Sequence, residues 1–249
     1  MFYLKAALPN ASAETLAQAR KQLNALELTQ AEAFTACVTK VLREDLGYRV
    51  SAETDLPQLG NGEPIPMWSY SIIEYLMGID LRGMDCLELG GGQSTLFLAK
   101  RCKSVTVLEN NHEWISRLIT RNTPGVSAHF AGPGTMPQAM AALNRKFHFI
   151  SIDPSENRYA CAKAAMPLLS DDGFIVLDNS EWYANTAAFL RSANLIQVDF
   201  HDFRPAHHYR TTTSLFLKPN FRPKPLGATL PLTPIGGRVV DVNNWDRIT

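Results

Sequence analysis

The spacing of hydrophobic residues changes near residue 84, which divides the chain into differently built parts. Residues 12 to 45 place apolar residues three or four positions apart, which predicts helix with Ser12 as the N-cap. Residues 46 to 67 contain repeated Gly and Pro and predict a loop, and residues 68 to 79 predict another helix. After that point, short apolar runs alternate with stretches of helical spacing, which indicates an α/β architecture.

This alternation predicts five β–α units followed by two further strands. The predicted strands are MDCLELG, SVTVLEN, VSAHFAG, FHFISID, GFIVLDN, LIQVDF and TTSLFLK. Strands that alternate with helices form mostly parallel sheets with helices on both faces, so the fold class is α/β and Rossmann-like. We expect the last two strands, joined by residues 201 to 212, to form an antiparallel hairpin at the edge of the sheet.

The pattern also predicts the organisation of the chain. Residues 1 to 67 form an N-terminal helical cap or lid, and residues 68 to 218 form the ligand-binding domain. Residues 219 to 249 are rich in proline and predict an extended C-terminal tail. This tail either wraps the domain or joins a contact in a homodimer.

Composition narrows the classes of partner. Lys and Arg together number 24, equal to Asp and Glu, and no long basic run occurs, so we expect no nucleic acid partner. No apolar run is long enough to span a bilayer, and the N-terminus has no sustained apolar segment of the signal-peptide kind. The four cysteines form no Cys-x-x-Cys pair and fit reduced thiols, so we expect a cytoplasmic protein.

A glycine-rich turn, LELGGGQST at residues 87 to 95, follows the first predicted strand. Glycines let a backbone turn tightly and approach a ligand, and the next helix presents free N–H groups at its start. Glu109 ends the second strand, where an acid accepts hydrogen bonds from ribose hydroxyls. Taken singly, the turn could be a plain strand–helix connection and Glu109 a helix cap or surface charge. Together they indicate a nucleoside-containing cofactor.

Two residues in the turn distinguish between cofactors. Dinucleotide-binding turns have Gly or Ala where this chain has Thr95. Glu88 would face a pyrophosphate unfavourably but an ammonium group favourably. With LELGGGQST and Glu109, the chain resembles the class I S-adenosylmethionine (SAM)-dependent methyltransferases over residues 68 to 218.

This resemblance implies a seven-stranded sheet whose final strand is antiparallel. It also implies that Glu88, Gly90 and Gly92 surround the methionine part of SAM, and that Glu109 holds the ribose. Trp68 and Tyr70 would close over the methionine end of the cofactor; the alternative is that both aromatic residues pack a lid helix.

Polar side chains end the fourth and fifth predicted strands. Asp153 follows the fourth strand, and Asp178 and Asn179 follow the fifth. Adjacent parallel strands would bring these side chains together, and their oxygens suit Mg²⁺ or a similar divalent cation. The alternative is that Asp178 and Asn179 cap the next helix while Asp153 orients the cofactor or substrate.

A narrower resemblance covers IDPSENRYACAKAAMPLLSDDGFIVLDNSEWY, which is similar to the catechol and caffeoyl-CoA O-methyltransferases. It implies that Asp153, Asp178 and Asn179 are metal ligands. Those families usually have a lysine, which helps deprotonate the substrate hydroxyl, where this chain has Glu156. A histidine or carboxylate base could deprotonate the acceptor instead, or a metal could lower the pKa of its hydroxyl.

The loop HDFRPAHHYRTTT, residues 201 to 213, joins the last two strands. His207 or His208 could serve as a catalytic base, with Asp153 as a carboxylate alternative. Adjacent histidines point different ways in an extended loop, so we expect one of them at most to be catalytic. An arginine of this loop, Arg204 or Arg210, could bind a substrate carboxylate or phosphate. The alternative is a solvated loop.

The function predicted from the sequence is SAM-dependent methylation of a small molecule, with oxygen as the acceptor. Three alternatives stay open: methylation of a protein or glycan, an NAD-dependent oxidoreductase, and a non-catalytic protein that keeps the cofactor fold and binds a partner.

Overall fold

Seven strands form one sheet in the computed structural model, which describes residues 12 to 25 and 29 to 237. The strands are β1 (Asp85–Leu89), β2 (Ser104–Glu109), β3 (Val126–Phe130), β4 (Phe147–Ile152), β5 (Leu169–Leu177), β6 (Ile196–Phe203) and β7 (Arg210–Leu217). Their spatial order is β3-β2-β1-β4-β5-β7-β6. The predicted α/β class and the seven-stranded sheet are confirmed.

Pairing within the sheet is parallel from β3 to β5 and antiparallel on both sides of β7. The predicted antiparallel hairpin of the last two strands is confirmed. Its strands are ordered so that β7, the last in the chain, lies inside the sheet against β5, and β6 forms the edge. The loop between β6 and β7 therefore opens at the same edge as the carboxyl ends of the parallel strands.

Helices cover both faces of the sheet. The helices of the sheet domain are α4 (Tyr70–Gly78), α5 (Gln93–Ala99), α6 (His112–Arg121), α7 (Met136–Ala142), α8 (Arg158–Ala165) and α9 (Ala184–Ser192). Alternate strand residues face α4 and α5 on one side and α7, α8 and α9 on the other, which produces two buried hydrophobic clusters. The two-sided burial explains why the central strands are apolar at nearly every position.

The N-terminal part differs from the predicted continuous helix. It contains α1 (Ala13–Ala25), α2 (Gln30–Lys40), a π-helical turn (Val41–Asp45) and α3 (Tyr48–Thr54). Ser12 accepts a hydrogen bond from the N–H of Thr15, so its predicted role as an N-cap is confirmed. A second helix start follows at Thr29, which forms a capping box with Glu32.

Helix α3 lies inside the segment predicted as a loop. Gly47 precedes it with a φ of 72°, and a Cβ there would lie 2.1 Å from the carbonyl oxygen of Gln58. The hydroxyl of Ser51 donates a hydrogen bond to the same carbonyl. Contacts distant in sequence therefore stabilise this short helix.

The described part of the tail, residues 219 to 237, packs along α4. The N–H of Leu226 donates to the carbonyl of Gly78, and the N–H of Asp80 donates to that of Lys224. Farther along, the N–H of Ile235 donates to Glu74. The tail wraps the domain, as one of the two predicted alternatives has it; the homodimer stays a prediction, and residues 238 to 249 lie outside the described part.

Two smaller predictions can be compared with the structure. All four cysteines are free thiols. Within residues 12 to 25 and 29 to 237, none of the helices combines the length and the apolar character needed to cross a membrane.

Candidate active site

A cleft of about 700 Å³ lies at the carboxyl edge of the parallel strands. It opens beside β1 and β4, where the strand order reverses direction, which is the usual place for ligands in open α/β sheets. The residues that line it include Met67, Gly90, Gly91, Gly92, Glu109, Asn110, Trp114, Asp153, Arg158, Asn179, Trp182, Arg204, His207 and Tyr209. The predicted glycine turn, strand-end acids and hairpin loop therefore meet in one cleft.

The glycines of the turn after β1 serve different purposes. Gly90 has a φ of 87°, and a Cβ at this position would lie 2.5 Å from the carbonyl oxygen of Asp153. At Gly92 a Cβ would meet no heavy atom within 4 Å. The turn is therefore packed tightly on the β4 side at Gly90 and leaves open space for a ligand at Gly92.

Glu109 holds this turn from the end of β2. Its buried carboxylate accepts hydrogen bonds from the N–H groups of Gly91, at 2.7 Å, and Asn111, at 2.6 Å. The N-cap of α6 is Asn111, so the alternative that Glu109 caps this helix does not hold. A carboxylate has about four acceptor positions, so further acceptor capacity remains on a side chain that lines the cleft.

Glu88 lies fully buried beneath the turn. Its Oε2 accepts a hydrogen bond of 2.6 Å from the hydroxyl of Thr95, while Oε1 has no hydrogen-bond partner among the described residues. Burial raises the pKa of Glu88 to about 8, although the Ser94 and Thr95 hydroxyls act in the opposite direction. An unpaired buried carboxyl oxygen fits a cationic or hydrogen-bond-donating ligand nearby.

We expect Glu88→Gln to change how stability depends on pH. Because the folded protein binds this proton more tightly than the unfolded chain, the contribution of Glu88 is complete below about pH 4.5 and is lost as the pH rises to about 8. Relative to wild type, the glutamine variant should gain about 2 kcal/mol in free energy of unfolding between pH 6 and pH 7.5. Urea denaturation at both pH values measures this. Glu113→Gln, on the exposed start of α6, should show no such gain, and equal gains in both variants would contradict the assignment.

Arg158, the first residue of α8, binds the ends of β4 and β5 together. Its guanidinium donates hydrogen bonds to Oδ1 of Asp153 at 2.6 Å and to the carbonyl of Asp178 at 2.5 Å. It donates a third to the carbonyl of Pro154, and its charge lies over the ring of Tyr183. The side chain is 7% exposed, and each of its three nitrogen atoms donates a hydrogen bond.

Asp178 is fully buried at the end of β5. The hydroxyl of Thr213 donates a hydrogen bond of 2.6 Å to its Oδ1, and Nη1 of Arg204 lies 3.7 Å from its Oδ2. Burial, followed by the negative charge of Asp153, raises the pKa of Asp178 to about 7, and Arg204 opposes this shift. The carboxyl can therefore gain or lose a proton near neutral pH.

The contacts of Asn179 and the start of the next helix show whether the polar end of β5 caps a helix. Helix α9 begins only at Ala184, its N-cap is Tyr183, and no side chain caps it. Asn179 instead has a φ of 51° and donates from Nδ2 to the hydroxyl of Thr211 at 2.9 Å. The alternative that Asp178 and Asn179 cap the next helix is wrong, and both residues belong to the cleft and its floor.

The predicted metal site was tested against these contacts. Asp153 and Asp178 each face a guanidinium group, and the amide of Asn179 is bonded to Thr211. Among the residues that the structure describes, no three His, Cys, Asp or Glu side chains come together in a way that could hold a metal ion. Two arginines already neutralise the two carboxylates, so the donors do not fit a divalent cation. The metal ligand set stays a prediction, and we derive no catalytic step from it.

The two histidines of the β6–β7 loop occupy different environments. His207 lines the cleft, with Nε2 3.2 Å from the sulfur of Met67, whereas His208 is exposed and its ring meets the edge of Tyr209. Burial and the charge of Arg204 lower the pKa of His207, which favours the neutral imidazole. Of the two candidates, His207 has the position of a base.

Trp68 and Tyr70 both lie in the hydrophobic core and not among the residues that line the cleft. The Trp68 ring packs against Phe149 at 6.5 Å. The phenol of Tyr70 is buried without a hydrogen-bond partner among the described residues. Their position corresponds to the packing alternative; a role in cofactor binding stays a prediction.

Arg158, Thr213 and Trp182 belong to the site without having been singled out from the sequence. The signal for Arg158 was its position a few residues after Asp153 at the start of a helix, because a buried acid at a strand end needs a cationic partner. For Thr213 and Trp182 we find no comparable signal in the sequence.

Comparisons with known proteins gave distant similarities only. No family model and no curated protein matches the chain. It is similar to the solved fibrillarin pre-rRNA processing protein of Methanococcus jannaschii, at 16% identity and a TM-score of 0.49, over 60% of this chain and 75% of that one. It is also similar to the O-methyltransferase TomG of Streptomyces achromogenes, solved in complex with SAM, at 17% identity and a TM-score of 0.49, over 70% and 89% of the two chains. A third is a precorrin-6y C5,15-methyltransferase of Geobacter metallireducens, at 13% identity and a TM-score of 0.47, over 61% and 90%.

Proposed function

We propose that this protein is a SAM-dependent methyltransferase that acts on a small molecule, with an oxygen atom as the methyl acceptor. The observation that carries the proposal is the glycine turn at the switch point of the sheet, held by Glu109 and placed above the buried Glu88. The seven-stranded sheet and its antiparallel last strand are those that the resemblance to class I methyltransferases implies.

The residues present fit SAM. Glu109 has acceptor capacity for the ribose hydroxyls and lines the cleft. Gly92 leaves room for the cofactor backbone, and the unpaired oxygen of Glu88 suits a nearby cationic group. When bound, SAM supplies an electrophilic methyl group on a sulfonium centre.

The chain itself would supply alignment and a base. Asp153 is held by Arg158 in one orientation, so it positions polar groups of the ligands at the end of β4. His207, neutral because its pKa is lowered, can accept the proton of an acceptor hydroxyl at Nδ1 or Nε2. The hydroxyl of Tyr48 donates a hydrogen bond to the carbonyl of His207, so the N-terminal part fixes the loop that carries this base.

Calorimetry with S-adenosylhomocysteine (SAH) and with NAD tests the cofactor. We expect SAH to bind and NAD not to bind, and we expect Glu109→Gln to weaken SAH at least tenfold, because a charged acceptor of hydrogen bonds is lost. Glu113→Gln should bind SAH like wild type. Selective binding of NAD would overturn the proposal.

Turnover tests the acceptor. Hydroxylated small molecules are incubated with SAM, and formation of SAH is measured for wild type and for His207→Gln. We expect turnover that falls strongly in the variant. Tight SAH binding without turnover on any hydroxylated compound would support the non-catalytic alternative instead.

A further inference from the structure

Arg204 is a buried cation whose hydrogen-bond donors are unused. Only 8% of its side chain is exposed, and its Nε has no hydrogen-bond partner among residues 12 to 25 and 29 to 237. Its one ion pair within that part of the chain is the contact of 3.7 Å with Asp178, which is too long for a hydrogen bond. A guanidinium has five N–H donors, and burying them without acceptors is costly.

Arg158 is a buried arginine of the same cleft, and its hydrogen bonds provide a comparison for Arg204. Its guanidinium donates to one carboxylate and two carbonyl oxygens, as described above. Arg204 has similar burial and forms no such bond with the residues that the structure describes. Both arginines line the cleft, and the N–H donors of Arg204 that lack an acceptor among the described residues fit a ligand that enters it.

The position of Arg204 favours contact with the methyl acceptor over contact with the cofactor. Its guanidinium reaches the end of β5, which is two strands from β1 and the glycine turn. Two strand spacings correspond to about 10 Å. On the same loop, His207 lies on the cleft side as the proposed base, so the anion and the reacting hydroxyl would belong to one molecule.

Two aromatic side chains border the same side of the cleft. Trp182 is 58% exposed, and its ring lies 6.2 Å from that of Tyr209. Tyr209 also stacks on His207 at 5.2 Å. An exposed aromatic pair beside a buried guanidinium suits a planar ligand with an acidic group.

We propose that the methyl acceptor is a small organic acid whose carboxylate binds the guanidinium of Arg204 while its planar part rests against Tyr209 and Trp182. This assignment of the substrate class rests on the proposed methyltransferase function. The 3.7 Å contact with Asp178 leaves the N–H donors of Arg204 free to form hydrogen bonds, and the planar fork of arginine matches a carboxylate in a two-point contact.

The test uses benzoate and its neutral isostere benzamide, titrated calorimetrically into wild-type protein saturated with SAH. We expect benzoate to bind at least tenfold more tightly than benzamide, since hydrogen bonds between charged groups are strong. Arg204→Gln should abolish this preference and Arg204→Lys should reduce it. Arg210→Gln, an exposed arginine of the same hairpin, should keep it.

For Asp178→Asn we expect tighter binding of benzoate, in contrast to the Arg204 variants. Removal of the carboxylate that pairs with Arg204 should strengthen benzoate binding, an effect that a purely structural role of Arg204 would not produce. This variant and Arg204→Lys decide the question if Arg204→Gln proves unable to fold, which thermal melting shows. Equal affinity of wild type for benzoate and benzamide, or a preference that persists in Arg204→Gln, overturns the proposal.

One rival assignment has its own measurement. If Arg204→Gln weakens SAH but not methylthioadenosine, which lacks the amino-acid carboxylate, then Arg204 binds the cofactor and the acceptor proposal is wrong. Binding of SAH to wild type stands apart from these results. Its absence would overturn the methyltransferase function, whereas its presence with no preference for benzoate would overturn only the acid acceptor.

Discussion

Arg158→Met is expected to lower the free energy of unfolding by about 3 kcal/mol, because it leaves a carboxylate and two carbonyl groups without their donor. Breaking a buried ion pair by removing one partner costs about 3 to 5 kcal/mol. The lower end applies since 28% of the Asp153 side chain is exposed and can regain water from the cleft. Urea denaturation at pH 7 measures the loss.

The control for Arg158 is Arg117→Met. Arg117 forms a surface ion pair with Glu113 on α6, and exposed pairs contribute at most about 1 kcal/mol. The double variant Arg158→Met with Asp153→Asn should recover part of the loss, because the neutral amide tolerates burial better than an unpaired carboxylate. A loss in Arg158→Met no larger than that in Arg117→Met would show that the ends of β4 and β5 do not depend on this arginine.

Gly90→Ala is expected to cost about 3 kcal/mol and to abolish SAH binding. A φ of 87° disfavours any residue with a Cβ by about 1 to 2 kcal/mol, and overpacking adds about 1 to 3 kcal/mol. The added methyl group would lie 2.5 Å from the carbonyl oxygen of Asp153, so the turn must move away from β4. Denaturation and calorimetry on the same preparation measure both effects.

Gly92→Ala separates packing from ligand binding. An added Cβ at Gly92 meets nothing within 4 Å, so stability should stay within about 0.5 kcal/mol of wild type. Binding of SAH should nevertheless weaken, because the methyl group occupies the space assigned to the ligand. Gly83→Ala, also open but distant from the cleft, should change neither quantity. A Gly92→Ala variant that binds SAH like wild type would place the cofactor elsewhere.

The sheet could be predicted from the sequence because the strand pattern is local. Strands such as β4 and β5 are apolar on both faces, and a Gly-rich turn after β1 marks the ligand edge without knowledge of the pairing. The inner position of β7 could not be predicted in the same way. Its apolar run would suit either the middle or the edge, and only the contacts with β5 decide.

The N-terminal part shows a different limit. The helix start at Thr29 was visible in the sequence, since Thr and Glu three residues apart are a capping box, yet continuous apolar spacing obscured it. Helix α3 has only seven residues and depends on Gly47 and Ser51, whose contacts involve residues beyond the helix. Periodicity carries little information over so short a segment.

For the site, the sequence indicated which strand ends carry chemistry but not how their charges combine. Asp153 and Asp178 were expected to share a divalent cation, which stays a prediction, and in the structure they lie next to the guanidinium groups of Arg158 and Arg204. From the sequence alone, a bound divalent cation and two arginine side chains would neutralise two neighbouring carboxylates equally well. The fold distinguishes these two possibilities, because the start of α8 brings Arg158 to Asp153 and the β6–β7 loop brings Arg204 to Asp178.

The inner position of β7 has a consequence for synthesis on the ribosome. Residues 210 to 217 are translated after every other strand, yet they must enter between β5 and β6. Until they emerge, the hydrogen-bonding edge of β5 stays open in the nascent chain. We therefore expect truncation before residue 210 to give an aggregating product, and we expect the sheet to be completed only after residue 217 has been translated.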